Sequence, residues 1–395
     1  MISALDFDIR PGSGLGPFII GSSLWAVLDQ VRGLQHFFPQ VDIKYDTDSP
    51  VTTPIIVHLR PHLDLLFSGY HQRLHTISVR RLRDPHPPLT LRYQHAGKDV
   101  VLSSPTESLK KIGVSRTFGP TYPGDDLKYP GVWFSFDDDG QSTSAATSTG
   151  FDARGKGAKS SQAEDRMHEV KKVVICQKEG EGEERDALGE VEECEAMYGD
   201  LSRAIVKIHD GVILHFHPPS ANSPVHIVLG LTTAQDLVVD LGTPPRVHYK
   251  EDDRMKIHSQ DAVEEDPEQD YFYNYFQYGM DILISGDTHN VKKIVLHTNV
   301  PGTPLFQRYK RCPWEIESPP EDDEDDAPPR KPFYERFETI SHFLSPREQP
   351  PSMLLDRTDE EEGVMLPSSQ THLFGYNGVV LEVTDSGRVV AVMLF

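Results

Sequence analysis

The sequence predicts an α+β protein: repeated units of a helix followed by an antiparallel sheet ending in a hairpin, with disordered acidic insertions. Three observations predict it. Four segments share one shape, a short apolar strand, a polar turn and a second apolar strand. Each is preceded by a segment with the apolar spacing of an amphipathic helix. Stretches rich in Asp, Glu, Pro, Ser and Gly, poor in apolar residues, interrupt the pattern and cannot bury a core.

The first unit spans residues 1–100. Its helix is expected over Ser22–Val31 and its hairpin over His62–Tyr70 and Arg73–Val79, around Ser68-Gly69. The second spans 101–228. Its helix is expected over Ser104–Ile112, where Pro105 follows a Ser cap. Its hairpin pairs Gly131–Phe136 with Val170–Cys176, across a disordered insertion at 137–165 and ahead of an acidic segment at 178–195. The third, 229–314, opens with a helix over Thr232–Leu241, stopped by Gly242 and Pro244. Strands at Arg246–Tyr249, Met255–His258 and Tyr271–Phe276 precede its hairpin, Gly279–Asn290 with Val291–Leu296. An acidic, proline-bounded linker covers 315–331. The last unit, 332–395, has a helix over Arg336–Leu344 and a hairpin of Gly378–Gly387 with Arg388–Phe395. A helix covering one face of each sheet makes the class α+β, the units lying side by side or continuing one another's sheets.

The 395 residues carry a formal charge of −22. Segments 178–195, 251–270, 315–326 and 356–362 carry −7, −7, −8 and −4, so the rest of the chain nets +4. With no basic, aromatic motif, nucleic acid is not an expected partner. Cys176, Cys194 and Cys312 form no C-x-x-C and read as reduced thiols. No apolar run reaches the roughly 18 residues of a membrane span, and the start lacks a signal peptide's basic and apolar regions. Ile2 replaces the glycine of a myristoylation signal, and no prenylation cysteine ends the chain. The expectation is a cytoplasmic protein.

His215 and His217 alternate along one strand and face one side of a sheet, but no third metal ligand accompanies them. His248 and His258 read as outward polar positions. The acidic runs lack EF-hand spacing. Phosphate-binding, nucleophile-elbow and H-E-x-x-H motifs are absent. In Gly12-Ser-Gly-Leu-Gly-Pro17 the third glycine comes one residue early for a dinucleotide loop. The chain therefore reads as no enzyme, with no catalytic residue, cofactor or metal. Its most unusual stretch, Tyr271–Tyr278, has aromatics on both strand faces. Tyr271, Tyr273 and Tyr275, with Lys292 and Lys293 of the following hairpin, are the candidate partner-binding residues. The blander alternative is a central strand buried within the chain.

Val247–Ser259, Asp270–Phe276 and Val291–Asn299 with Pro301-Gly302 closely resemble the phagophore assembly factor family, also called Mytho. The resemblance extends to Gly230–Pro244, Phe67–Leu74 and Phe118–Gly124. It implies a non-enzymatic autophagy factor, acting as an adaptor in complex with a WD40 β-propeller protein. That partner would bring it to the phagophore membrane at the assembly site. The alternatives are a lipid or small-ligand carrier with a pocket between sheet and helix, and a hydrolase built around His215 and His217.

Overall fold

A computed structural model describes residues 5–95, 97–121, 126–136, 167–178, 189–218, 224–249, 269–318, 328–345, 347, 349–356 and 370–395. The chain divides into two units: residues 1–22, 27–45 and 54–192, and residues 23–26, 46–53 and 193–395. In chain order the first half runs β1 (Leu5–Arg10), β2 (Gly14–Leu15), β3 (Phe18–Ile19), α1 (Leu24–Gly33), β4 (Val41–Lys44), β5 (Ile55–Leu59), β6 (Leu63–Phe67) and β7 (Leu74–Val79). It continues with β8 (Leu89–His95), β9 (Lys98–Ser103), α2 (Lys111–Phe118), β10 (Leu127–Tyr129), β11 (Val132–Ser135) and β12 (Lys172–Cys176). These strands form two sheets, ordered β3-β2-β1-β8-β9 and β10-β11-β12-β7-β6-β5-β4.

The second half begins with β13 (Leu201–Lys207), β14 (Gly211–Phe216), β15 (Val225–Val228), α3 (Ala234–Leu241), β16 (Arg246–Tyr249), β17 (Tyr271–Tyr275), β18 (Met280–Ile284) and β19 (Val291–His297). Then come β20 (Trp314–Glu317), β21 (Arg330–Pro332), α4 (Phe337–Leu344), β22 (Ser352–Asp356), β23 (Gln370–Tyr376), β24 (Val379–Thr384) and β25 (Val389–Leu394). Its sheets are ordered β15-β14-β13-β20-β21 and β22-β23-β24-β25-β19-β18-β17-β16.

The two halves repeat one topology. In each smaller sheet the first strand pairs parallel with the strand that follows the large-sheet hairpins, β1 with β8 and β13 with β20. In each larger sheet the last strand returns beside the fourth, β12 beside β7 and β25 beside β19. The likeness extends to irregularities. Both central hairpins carry a register shift just before the turn, at Leu66/Phe67 and at Leu283/Ile284. Both turns begin Ser-Gly and close with a backbone bond, Ser68 N to Arg73 O (2.8 Å) and Ser285 N to Asn290 O (2.9 Å). In each the residue before the acceptor, Gln72 or His289, has positive φ. A Cβ on Gly14 would meet Phe18 O, and one on Gly211 would meet Ile227 O, so both first hairpins need glycine at that place. Among the described residues, β22 has no counterpart in the first half.

Alternation explains the cores. β5 and β6 bury every second residue, so one face of the seven-stranded sheet is apolar. In the second unit both sheets contribute to a single core. Ala204, Val206, Leu214 and Ile316 of the smaller sheet join Ile282, Ile294, Leu381 and Val392 of the larger.

The expected α+β class is overturned. The protein is mostly β, with four α-helices of eight to ten residues among the described ones and four large sheets. The expected one-sheet-per-helix repeat does not form. The apolar runs Val173–Ile175 and Val389–Val392 are too hydrophobic to end a sheet, and each pairs on both sides. The hairpins read as separate units thereby merge in pairs. The two smaller sheets escape the periodicity because each depends on a parallel pairing distant in sequence, and the first also contains two-residue strands. Helices start at Leu24, Ala234 and Phe337, within two residues of expectation. The second starts at Lys111, because Ser104 Oγ accepts from Glu107 N (3.0 Å) in a turn and Lys110 is extended. Residues 137–165, most of 178–195, 251–268 and 319–326 lie outside the described residues, as does Met255–His258. No helix among the described residues is long and apolar enough to cross a membrane.

Candidate functional site

The tyrosines singled out by the sequence lie on β17, between β16 and β18. Tyr275 is fully buried, and its hydroxyl donates to Gly242 O (3.0 Å) just beyond α3. Burial pushes its phenol well above its ordinary value. The Tyr271 hydroxyl meets His289 Nδ1 at 3.0 Å in the neighbouring turn. Tyr273 is half-buried between them, with ring centroids 5.4 Å from Tyr271 and 6.4 Å from Tyr275. Lys292 Nζ pairs with Asp270 Oδ2 at 2.8 Å. Lys293, the next residue on β19, is half-buried and points to the opposite face. The structure therefore packs the tyrosine rings against one another in tilted and edge-to-face contacts, ties their outer two hydroxyls to α3 and the β18–β19 turn, and separates the two lysines.

A cluster that the sequence reading missed sits beside them. Asp281, alone among apolar residues on β18, accepts from Asn274 Nδ2 (2.6 Å), His297 Nε2 (2.8 Å) and the Tyr309 hydroxyl (2.7 Å). His297 stacks on Tyr309 with centroids 3.9 Å apart, and all four residues are buried. Burial by itself raises the Asp281 pKa, but the bonds from His297, Asn274 and Tyr309 outweigh it and hold the carboxyl below its ordinary value. Burial and the adjacent carboxylate push Tyr309 up. The lone Asp inside Met280–Ile284 was the available signal, because a buried carboxylate needs donors.

The other candidates disperse. His217 Nδ1 lies 3.1 Å from Glu193 Oε2, and His215 is held below its ordinary pKa by burial, Arg203 and Arg330. Among the described residues no three His, Cys, Asp or Glu side chains gather as a metal site. His248 is exposed on β16 and His258 lies outside the described residues; of the three glycines, Gly12 lies in the β1–β2 turn, Gly14 on β2 and Gly16 in the turn to β3.

Part of the exposed apolar surface lies at the margins of the eight-stranded sheet, beside single exposed residues such as Leu231 just ahead of α3 and Val239 within it. β22, the strand at one edge, pairs only with β23 among the described residues and presents Met353 (68% exposed) and Leu354 (56%). Such a strand leaves backbone donors and acceptors along one side beside uncovered apolar side chains. At the opposite margin β16 exposes Val247 and Tyr249.

The family model described as phagosome assembly factor 1 matches residues 14–395. The chain is 28% identical to a PHAF1 protein of Arabidopsis thaliana, an alignment covering all of this chain and 94% of that relative. A PHAF1 protein of Caenorhabditis elegans is 24% identical, over all of this chain and 95% of the relative. One of Drosophila melanogaster is 30% identical over 41% of this chain and 40% of its own length. No solved structure matches.

Proposed function

Because the chain belongs to the phagosome assembly factor 1 family, we propose that it is a non-catalytic adaptor in autophagy. In this reading it is cytoplasmic and works in complex with a WD40 β-propeller protein, through which it is recruited to the phagophore assembly site. The observation that carries the protein-contact part is β22. Among the described residues it is an added edge strand with an unpaired outer side, two exposed apolar side chains and no counterpart in the first half. A propeller blade ends in a strand, and strand addition supplies backbone bonds while Met353 and Leu354 supply apolar contact.

The test is affinity purification of the tagged chain from starved cells, beside imaging. The wild type is expected to retain a WD40 protein and to enter puncta. Met353→Asp with Leu354→Asp, both at exposed positions, is expected to reduce recovered partner about tenfold or more. A wild-type eluate without a WD40 protein, and no puncta, would sink the reading.

A further inference from the structure

The first unit holds a concave basic site with no equivalent among the described residues of the second. A hollow of about 400 Å³ opens where the β5–β6 turn, the end of β7 and the start of β12 converge. Lys44, Arg60, Arg80, Arg81, Lys171 and Lys172 line it, against Asp64 as the only acidic group among the described residues of its wall. In a chain of net charge −22 this is a local inversion of sign.

The site is built rather than merely exposed. His62, fully buried beneath it, has Nδ1 3.1 Å from Arg81 O and Nε2 2.7 Å from Pro87 O. Arg80 N donates to His62 O (2.7 Å), so the turn and the end of β7 are tied together. Arg81 is held at φ 49°, a conformation unfavourable outside glycine and Asn, and its side chain is exposed. Asp64 is engaged by His58 Nδ1 (2.5 Å) and Arg80 Nε (2.7 Å). The buried His58 Nε2 has no hydrogen-bond partner among the described residues. Arg60 is 3.4 Å from Asp42 Oδ2, an exposed pair of small value.

The repeated topology supplies an internal comparison. Register places Asp64, His58 and Arg80 where the second unit has Asp281, Asn274 and His297. In the second unit that carboxylate is buried under Tyr309, and the places of Lys171 and Lys172 are taken by Val390 and Ala391. The fold thus does not require cations there. The first unit keeps the hollow open and surrounds it with them.

We infer that this hollow binds a compact, multiply phosphorylated ligand of the inositol-phosphate type, free or as a lipid headgroup. Six cations around about 400 Å³ match several phosphates on a small ring. A concavity of that size does not admit a nucleic-acid duplex, whose groove contacts spread over a far larger surface.

The test uses the full chain and inositol hexakisphosphate in titration calorimetry, with phosphatidylcholine vesicles with and without phosphatidylinositol bisphosphate in a parallel flotation assay. Saturable binding that weakens with added salt is expected. Arg81→Asn, which suits the left-handed backbone, combined with Lys171→Gln is expected to weaken it about tenfold or more. Arg116→Glu, an exposed charge outside the hollow, is expected to leave it unchanged. Vesicle flotation that depends on the bisphosphate identifies the lipid source, and calorimetric binding without flotation identifies a free ligand. Binding of neither probe overturns the inference, and so does binding that the paired variant leaves intact while circular dichroism shows it folded. The adaptor reading is independent of this outcome, because its readout is recovery of a protein.

Discussion

Asp281 accepts three hydrogen bonds in a buried setting, and its depressed pKa makes it a source of pH-dependent stability. A carboxyl ionised more easily in the folded than in the unfolded chain stabilises the fold fully above its unfolded value, about 3.9. That contribution is lost as pH falls through the lower folded value. Asp281→Asn is expected to cost about 2–4 kcal/mol at neutral pH. In urea unfolding series the gap between wild type and variant should close as pH drops below about 4, and a constant gap would contradict the assignment. The aspartate itself was conspicuous in the sequence, as a charge inside Met280–Ile284. Its partners were not, since Asn274 and His297 reach it by cross-strand register and Tyr309 arrives from the 298–313 connection. The basic hollow was equally hidden, because Arg60, Arg81 and Lys171 are far apart in sequence and meet only when β12 returns beside β7.

Among the elements, helices that carry their own boundary signals were placed from sequence. α3 has a reciprocal cap: Thr233 Oγ1 accepts from Asp236 N (3.2 Å), and Asp236 Oδ2 accepts from Thr233 N (2.9 Å). The bonds that Thr233 N and Thr233 Oγ1 donate to Asp236 Oδ2 hold this carboxyl below its ordinary pKa. Thr233→Ala is expected to lower stability by about 1 kcal/mol, read as a shift of the urea midpoint at unchanged slope. The Ser104-Pro105 signal misled because the same side-chain bond closes a lone turn as readily as it opens a helix. The central hairpins were legible from β-branched alternation around Ser-Gly, whereas β2 and β3, two residues each, hold no periodicity to read.

At the scale of the whole molecule, the twofold repetition is a property of connectivity rather than of residue pattern. The shared bulge, the shared positive φ and the shared glycine clash identify it, while side chains at matching places have diverged in charge and burial. Four similar hairpins therefore suggested four units, and only pairing showed that they close two large sheets. Divergence has an asymmetric result: one half sealed its carboxylate with Tyr309 and apolar strands, and the other surrounded it with cations. The acidity noted from composition lies mostly in segments outside the described residues, so the global charge is a poor guide to the surface near that hollow.

The ladder between β11 and β12 also makes the chain divisible. Ser135 stands opposite Lys172, so the backbone enters and leaves the intervening stretch at one point of the sheet. A protein severed there still has four residues of β11 paired to β12, and β12 paired on its other side to β7. Two separately produced pieces, 1–136 and 167–395, are accordingly expected to complement one another when mixed during refolding. Arg81 lies on one piece and Lys171 on the other. Recovery of inositol hexakisphosphate binding by the mixture, and by neither piece alone, would report reassembly, while recovery by a single piece would refute it.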